Sequence, residues 1–136
     1  MKTVIRFFLA ILFFFCSSPA FAETAQEMLL ACRPIAKANL PGSKGKVTGP
    51  DTFAAGKCWG AFTVIQNGIE RVDDRILFVY NICPPAGTNR TQLIAMFVDY
   101  AEKNPQRLQE EFFDVFLDAL RKAFPCTPEK GRGGRP

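Results

Sequence analysis

Two stretches of sequence, Cys83-Pro84-Pro85-Ala86-Gly87-Thr88 and Phe124-Pro125-Cys126, flank a predicted helical hairpin. The chain between them contains two helix-like segments placed back to back, so a hairpin would bring its outer ends together. At about 1.5 Å of rise per residue the two helices would be roughly 22 and 28 Å long, and the chain returns close to its starting level. Cys83 and Cys126 can therefore meet, and we predict that a disulfide closes this half of the chain.

The hairpin is predicted to contain the third and fourth of about four helices. The third covers residues 89–103 behind a Thr88 cap, and Asn104-Pro105 separates it from the fourth, at residues 106–124. Apolar side chains recur every three or four residues in both segments, which is the spacing of one helical face. In the fourth helix they are Leu108, Phe112, Val115, Phe116, Ala119, Leu120 and Ala123.

The first two helices are predicted at residues 25–39 and 51–73, joined by a flexible connection at residues 42–50 that is rich in Gly and Lys. Asp51 is predicted to cap the second helix. The apolar run in residues 75–82 is short and has no second run with which to pair as a strand, so we interpret it as a packed connection or a helical continuation. The whole pattern indicates a small all-α bundle.

Four cysteines follow residue 22, namely Cys32, Cys58, Cys83 and Cys126. Export to an oxidising compartment would make them two disulfides, for which three pairings exist. The hairpin favours Cys83–Cys126, which leaves Cys32–Cys58 to join the first helix to the second. In the loop-entropy model these bonds would stabilise the fold by about 4 and about 3.6 kcal/mol, respectively. A metal site is disfavoured, because the chain contains no C-x-x-C pair and no His.

The first 22 residues have the features of a cleaved signal peptide. Lys2 and Arg6 precede a continuous apolar run at residues 7–15, and small residues precede the predicted cleavage site after Ala22. The apolar run falls short of the ~20 residues of a membrane span, so stable membrane insertion is not expected. Attachment of a lipid to Cys16 is an alternative, but a bulky phenylalanine stands before it.

Cleavage would remove 22 of the 136 residues and leave 114. Lys2 and Arg6 leave with the signal peptide, so 15 of the 17 basic residues remain against 13 acidic ones, a net charge of +2. This balance does not indicate a nucleic-acid partner. We predict one domain of ordinary size at residues 23–126 and a disordered tail of Gly, Pro and Arg at residues 127–136.

The exported sequence is poor in catalytic side chains. It lacks His, and its single serine, Ser43, lies in the connection between the first two helices. That connection resembles a phosphate-binding loop only superficially, because Val47 stands where such a loop needs Ser or Thr. The carboxylate pairs Asp73-Asp74 and Glu110-Glu111 are adjacent in sequence and diverge on a helix. We therefore expect no enzyme activity, no cofactor and no resident metal.

Several motifs resemble one known family. They are Gly56-Lys57-Cys58-Trp59-Gly60, Cys83-Pro84-Pro85-Ala86-Gly87-Thr88, Asn104-Pro105 and Ala119-Leu120-Arg121-Lys122-Ala123-Phe124-Pro125-Cys126. With these marks the chain resembles the Rap/Tai family of bacterial immunity proteins over most of its length from Gly56 onward. The resemblance implies a small all-helical periplasmic protein that often forms a homodimer. It also implies that the protein binds and blocks a cell-wall amidase delivered by type VI secretion.

The family motifs do not identify the contact residues for such an amidase. We expect them at residues 73–80, where charged and aromatic side chains are mixed. The candidates are Asp73, Asp74, Arg75, Phe78 and Tyr80.

A periplasmic acid or stress chaperone is the alternative function. Small helical proteins held by disulfides can release apolar surface when acid loosens them, and here carboxylates alternate with phenylalanines near the start of the fourth helix. The acidic members are Glu110, Glu111 and Asp114, and the aromatic ones are Phe112, Phe113 and Phe116.

Overall fold

The computed structural model of the protein describes residues 23–38 and 51–127. The predicted signal peptide with its cleavage site, the end of the first helix at Asn39, the connection at residues 42–50 and the tail from residue 128 onward lie outside the described residues. Within the described ranges, no helix combines the length and apolarity needed to cross a membrane.

In residues 23–38 and 51–127 the bundle consists of four longer helices and one short helix. In chain order the helices are α1 (Ala25–Ala38), α2 (Phe53–Arg71), α3 (Asp74–Val79), α4 (Arg90–Lys103) and α5 (Phe112–Ala123), with a single 3-10 turn at Pro105–Arg107. The only β-type pairing in the described part of the chain is an isolated antiparallel bridge between Thr24 and Glu111. The prediction of an all-α, disulfide-stapled bundle is confirmed.

Two helix caps lie one residue later than predicted. Thr52, not Asp51, caps α2, because its side chain accepts a hydrogen bond from the Ala55 amide at 3.1 Å. Asn89, not Thr88, caps α4, and it forms a reciprocal capping box with Gln92. The Thr88 hydroxyl instead donates to the Pro85 carbonyl at 2.7 Å, which keeps it in the preceding turn.

The fourth predicted helix begins six residues later than expected, at Phe112 and not at residue 106. The intervening backbone pairs with the start of the described chain. Gln26 and Ala25 donate from their amides to the carbonyls of Leu108 and Glu110, each at 2.9 Å, and the Phe112 amide donates to the Glu23 carbonyl at 2.8 Å. These long-range hydrogen bonds replace the helical ones that the apolar pattern alone suggested.

Four phenylalanine rings form the centre of the core. Phe62 on α2, Phe97 on α4, and Phe112 and Phe116 on α5 make edge or tilted contacts with centroid separations from 5.1 to 5.9 Å. Such offset geometries are the favourable ones for aromatic pairs. Helix α1 covers this cluster with Met28, Leu29 and Cys32, all of them buried.

The two disulfides differ in their surroundings. Cys32–Cys58 joins α1 to α2, and both cysteines are fully buried. Cys83–Cys126 joins the chain before α4 to the chain after α5 across 43 residues of sequence, and both cysteines are partly exposed. The first bond lies in the core, whereas the second closes the outer end of the α4–α5 hairpin.

A cation–π contact fixes α4 against α2 at the edge of the core. The Arg90 guanidinium lies 4.0 Å from the centroid of the Trp59 ring and donates to the Thr63 hydroxyl. Thr63 in turn donates to the Trp59 carbonyl at 2.7 Å. The single tryptophan therefore packs within the protein, on the side of α2 that faces α4.

We expect Phe62→Ala to lower the free energy of unfolding by about 3–5 kcal/mol, because it removes the ring shared by three aromatic contacts and leaves a cavity. Phe113→Ala is the matched control, since the Phe113 side chain is 54% exposed. This variant should lose less than about 1 kcal/mol of unfolding free energy. Urea unfolding of the oxidised proteins measures both. Equal losses in the two variants would contradict the assignment of Phe62 to the centre of the core.

Candidate interaction surface

The five residues predicted to contact a partner all lie on or beside the short helix α3. Asp73 precedes the helix, Asp74, Arg75 and Phe78 lie within it, and Tyr80 follows it. Every one of these side chains is exposed. The structure thus brings the predicted set together on one surface segment, which we call the 72–80 segment (residues Val72 to Tyr80).

Helix α3 contains no buried residue. Val79 is 80% exposed, Ile76 and Tyr80 are about half exposed at 52% each, and Phe78 is 46% exposed. Only Leu77 turns partly toward the core. Folded monomers rarely leave several adjacent large apolar side chains in water unless the surface binds something.

Val72, Ile76 and Val79 are exposed, although the sequence pattern does not predict them as surface residues. The second helix is predicted to extend to residue 73, but α2 ends at Arg71 and Val72 is exposed. Residues 75–82 are predicted to form a packed connection or a helical continuation. The structure places a separate short helix there, in which only Leu77 is partly buried, and Ile82 follows it as a buried residue. The charged group Asp73-Asp74-Arg75 between two apolar runs was the available signal, because it favours exposure of the short helix that begins within it.

Local capping explains why this segment is helical. The Val72 amide donates to the Gly68 carbonyl at 2.9 Å and closes α2. One residue later, the Asp73 carboxylate accepts from the Arg75 amide at 2.8 Å and starts α3. The carboxylate of Asp73 is thereby engaged, whereas no ion pair joins Asp74 or Arg75 to another residue in the described ranges.

The end of the segment is fastened to the end of α5. Arg121 donates from Nε to the Tyr80 carbonyl at 3.2 Å, and the Cys126 amide donates to the side-chain oxygen of Asn81 at 3.1 Å. The Cys83 amide donates to the Phe124 carbonyl at 2.8 Å, next to the Cys83–Cys126 disulfide. The segment therefore projects from a base that is held by both backbone and covalent contacts.

An ion-pair network supports that base. Arg107 Nη1 lies 2.6 Å from Asp118 Oδ2 and donates to the Tyr100 hydroxyl at 3.0 Å, while Nη2 lies 2.6 Å from Glu110 Oε2. The second oxygen of Asp118 pairs with Arg121 at 2.7 Å. Asp118 thus pairs with both Arg107 and Arg121, and Arg121 is the residue that contacts Tyr80.

The network shifts the pKa of each of its carboxyl groups downward. Hydrogen bonds from Arg107 hold the pKa of Glu110 below its ordinary value. Arg107, with a further contribution from Arg121, lowers the pKa of Asp118 against the opposing effect of partial burial. The hydrogen bonds to Glu110 and Asp118 raise the pKa of Arg107, so the arginine stays charged.

A small groove lies between α4 and α5, beside this network. Its apolar lining includes Met96, Tyr100 and Ala119, and its volume is about 150 Å³. Small-molecule sites are typically ~300–1,000 Å³, so the groove is smaller than a typical small-molecule site. Within residues 23–38 and 51–127 there is also no cluster of three or more His, Cys, Asp or Glu side chains that could hold a metal.

The chain is similar to one known protein family. The family model for the Rap1a immunity proteins matches residues 24–126, which is most of the chain and includes all four cysteines that follow residue 22. No curated protein and no solved structure matches the chain.

We expect the free energy of unfolding of Asp118→Asn to fall less steeply in acid than that of the wild type. Because the native pKa of Asp118 is lowered, the unfolded chain binds more protons than the native protein once the pH falls to about 4. The contribution of this carboxylate is present above that range and is lost as the pH falls through the lower native pKa. Urea unfolding across a pH series measures the slope of the free energy of unfolding against pH, which we call the acid slope.

Asp114→Asn on the same helix is the control for this experiment. Asp114 is exposed and forms no ion pair with any described residue, so its variant leaves the Arg107–Asp118 pair intact and should change the acid slope less than Asp118→Asn does. An Asp118→Asn protein with an unaltered slope would show that the network does not hold its charge in the native state.

Proposed function

The chain belongs to the Rap1a immunity protein family, and from this premise we propose that it is a periplasmic immunity protein that binds and occludes a cell-wall amidase effector of type VI secretion, without catalysis of its own. The family connects the chain to immunity against a secreted effector. The choice of an amidase comes from the motifs shared with the Rap/Tai proteins. An enzyme that attacks the cell wall acts outside the cytoplasm, so its inhibitor has to be exported to meet it.

Two features of the chain support an exported protein. The sequence begins with a predicted signal peptide, and the fold contains two disulfides, which persist in oxidising compartments. These features and the family support the proposal that the protein lies in the periplasm after cleavage behind Ala22. The proposed functional unit is residues 23–126.

The observation that carries the proposed mechanism is the exposure of the 72–80 segment. A projecting helix with apolar side chains on its surface, with Asp73 before it and Asp74 in its first turn, suits a concave site on another protein. Interface centres are typically apolar and their rims charged, and the segment has both parts. We propose that Ile76, Phe78, Val79 and Tyr80 enter the cleft of the amidase, while Asp73, Asp74 and Arg75 contact its rim.

Inhibition by occlusion needs an ordered surface more than it needs reactive groups. Ordering a loop upon binding costs free energy, and a segment that is already helical avoids part of that cost. The contacts of Tyr80, Asn81 and Cys83 with the end of α5 supply this order in the free protein.

The alternative of an acid-activated chaperone has less support. Of its three phenylalanines, Phe112 and Phe116 lie in the core cluster and only Phe113 is exposed. Among its carboxylates, Glu110 pairs with Arg107. A chaperone should suppress aggregation of unrelated proteins in acid, whereas the proposed immunity protein should act on one enzyme at neutral pH, so the two functions give opposite results with an unrelated client.

We expect Val79→Asp to weaken binding to the cognate amidase by about 30-fold or more, because it places a charge in the apolar centre of the proposed interface, where truncations cost about 2 kcal/mol. The measurements are calorimetric affinity and inhibition of peptidoglycan hydrolysis. The fold should be unaffected, since Val79 is 80% exposed.

Val64→Asp is the matched control, because Val64 is a 73% exposed valine on α2, outside the segment. It should bind as the wild type does. If wild-type protein leaves the amidase fully active, the proposed function is wrong. If it inhibits and Val79→Asp inhibits equally well, the function stands and the 72–80 segment is not the contact surface.

A further inference from the structure

The 72–80 segment cannot hold its conformation by its own burial. Helix α3 has six residues, none of them buried, and isolated helices below ~12–15 residues are marginal in water. Leu77 is partly buried, and Ile82, just after the segment, is 2% exposed and donates from its amide to the Leu77 carbonyl at 2.9 Å. The remaining order has to come from contacts outside the helix.

Asn81 supplies one of these contacts through an unusual backbone. Its φ of 57° lies in the left-handed region, and among the described residues it is the only non-glycine residue with a positive φ. Asparagine tolerates this region better than most side chains. The left-handed turn directs the chain from α3 toward Ile82, and the Asn81 side-chain oxygen accepts the Cys126 amide at 3.1 Å. One residue thus sets the direction of the turn and fastens it to the C-terminal end of the domain.

Arg121 supplies the second contact. Its Nε donates to the Tyr80 carbonyl at 3.2 Å, and its Nη1 pairs with Asp118 at 2.7 Å. Asp118 is itself held by Arg107, so the guanidinium of Arg121 is oriented before it reaches Tyr80. The contact joins the C-terminal end of the exposed helix to α5, which carries Phe116 of the core.

We propose that Asn81 and Arg121 are positioning residues that hold the 72–80 segment in the conformation in which it binds the effector. Neither side chain need touch the partner. The binding part of this inference rests on the proposed function, whereas the ordering of the segment belongs to the free protein and can be tested without any partner.

The chain offers a matched pair of variants at position 81. Asn81→Gly keeps the left-handed backbone accessible and removes the side-chain acceptor. Asn81→Asp retains both an acceptor oxygen and tolerance of the left-handed region. At position 121, Arg121→Gln removes the guanidinium, and Lys122→Ala is the neighbouring control, because Lys122 contacts only the Tyr100 ring among the interactions found in the described ranges.

The first measurement is amide hydrogen exchange on the free oxidised full-length protein. Loss of one hydrogen bond should increase exchange at residues 76–82 about five-fold in Asn81→Gly and in Arg121→Gln. Exchange in α1 and α4 should not change, and Asn81→Asp and Lys122→Ala should match the wild type. A purely structural role would instead raise exchange throughout the bundle, and that result, or unaltered exchange at residues 76–82, would overturn the proposal.

The second measurement is affinity for the purified amidase used in the Val79 experiment. Asn81→Gly and Arg121→Gln should each weaken binding about five-fold, with Asn81→Asp restoring wild-type affinity. If Asn81→Gly and Arg121→Gln both bind the amidase with wild-type affinity although their segments exchange faster, the positioning role is refuted. Should the wild-type protein bind no amidase, the proposed function fails, and the exchange data alone still determine whether Asn81 and Arg121 order the segment.

Discussion

The Cys83–Cys126 disulfide is the constraint on which the exposed surface depends. It joins the chain that leaves the 72–80 segment to the chain that leaves α5. Without that bond the Asn81–Cys126 and Cys83–Phe124 hydrogen bonds would have to form between two chain segments that are free to separate. With it, the base of α3 and the end of α5 are neighbours in every conformation of the folded protein. A covalent tie placed beside a surface segment limits motion of that segment more effectively than one placed deep in the core.

The other disulfide and the aromatic cluster have a separate role. Cys32–Cys58 lies in the interior with Phe62, Phe97, Phe112 and Phe116. This part of the molecule is stabilised by burial of large side chains, and α3 adds to it only the partly buried Leu77. The domain is therefore divided into a core that establishes the bundle and an outer end that orders one projecting helix. Arg107 and Asp118 connect the two, because their ion pair links the turn before α5 to the arginine that reaches Tyr80.

Much of this architecture could be predicted because its signals are local. The spacing of apolar residues located α4 to within a residue, and the positions of Pro84, Pro85 and Pro125 marked the ends of the hairpin. The start of α5 could not be predicted in the same way. Residues 108–111 have an acceptable helical pattern, but Leu108 and Glu110 direct their carbonyls to the amides of Gln26 and Ala25, which are more than eighty positions away in sequence.

The candidate site shows the same division between local and long-range signals. Mixed charge and aromatic character pointed to residues 73–80, and all of these residues except Leu77 are exposed. Asn81 and Arg121 carried no such signal, because their importance arises only when α5 is placed beside the end of α3. Val79 was missed for another reason. An apolar residue in a short run is expected to be buried, and only the absence of a packing partner reveals that it is not.

The exposure of Ile76 and Val79 makes little sense as a contribution to folding. Burial of each would gain roughly 1.5–3 kcal/mol, whereas polar residues at these positions would remove an aggregation hazard at little cost to the fold. The chain instead keeps them in water, places Asp73, Asp74 and Arg75 immediately before them, and commits two side chains and a disulfide to holding their helix in place. Order without burial benefits a surface only when something else later covers it. We propose that the partner has an apolar recess to receive the helix and polar groups at its edge to meet the charges, as the cleft of the proposed amidase would provide.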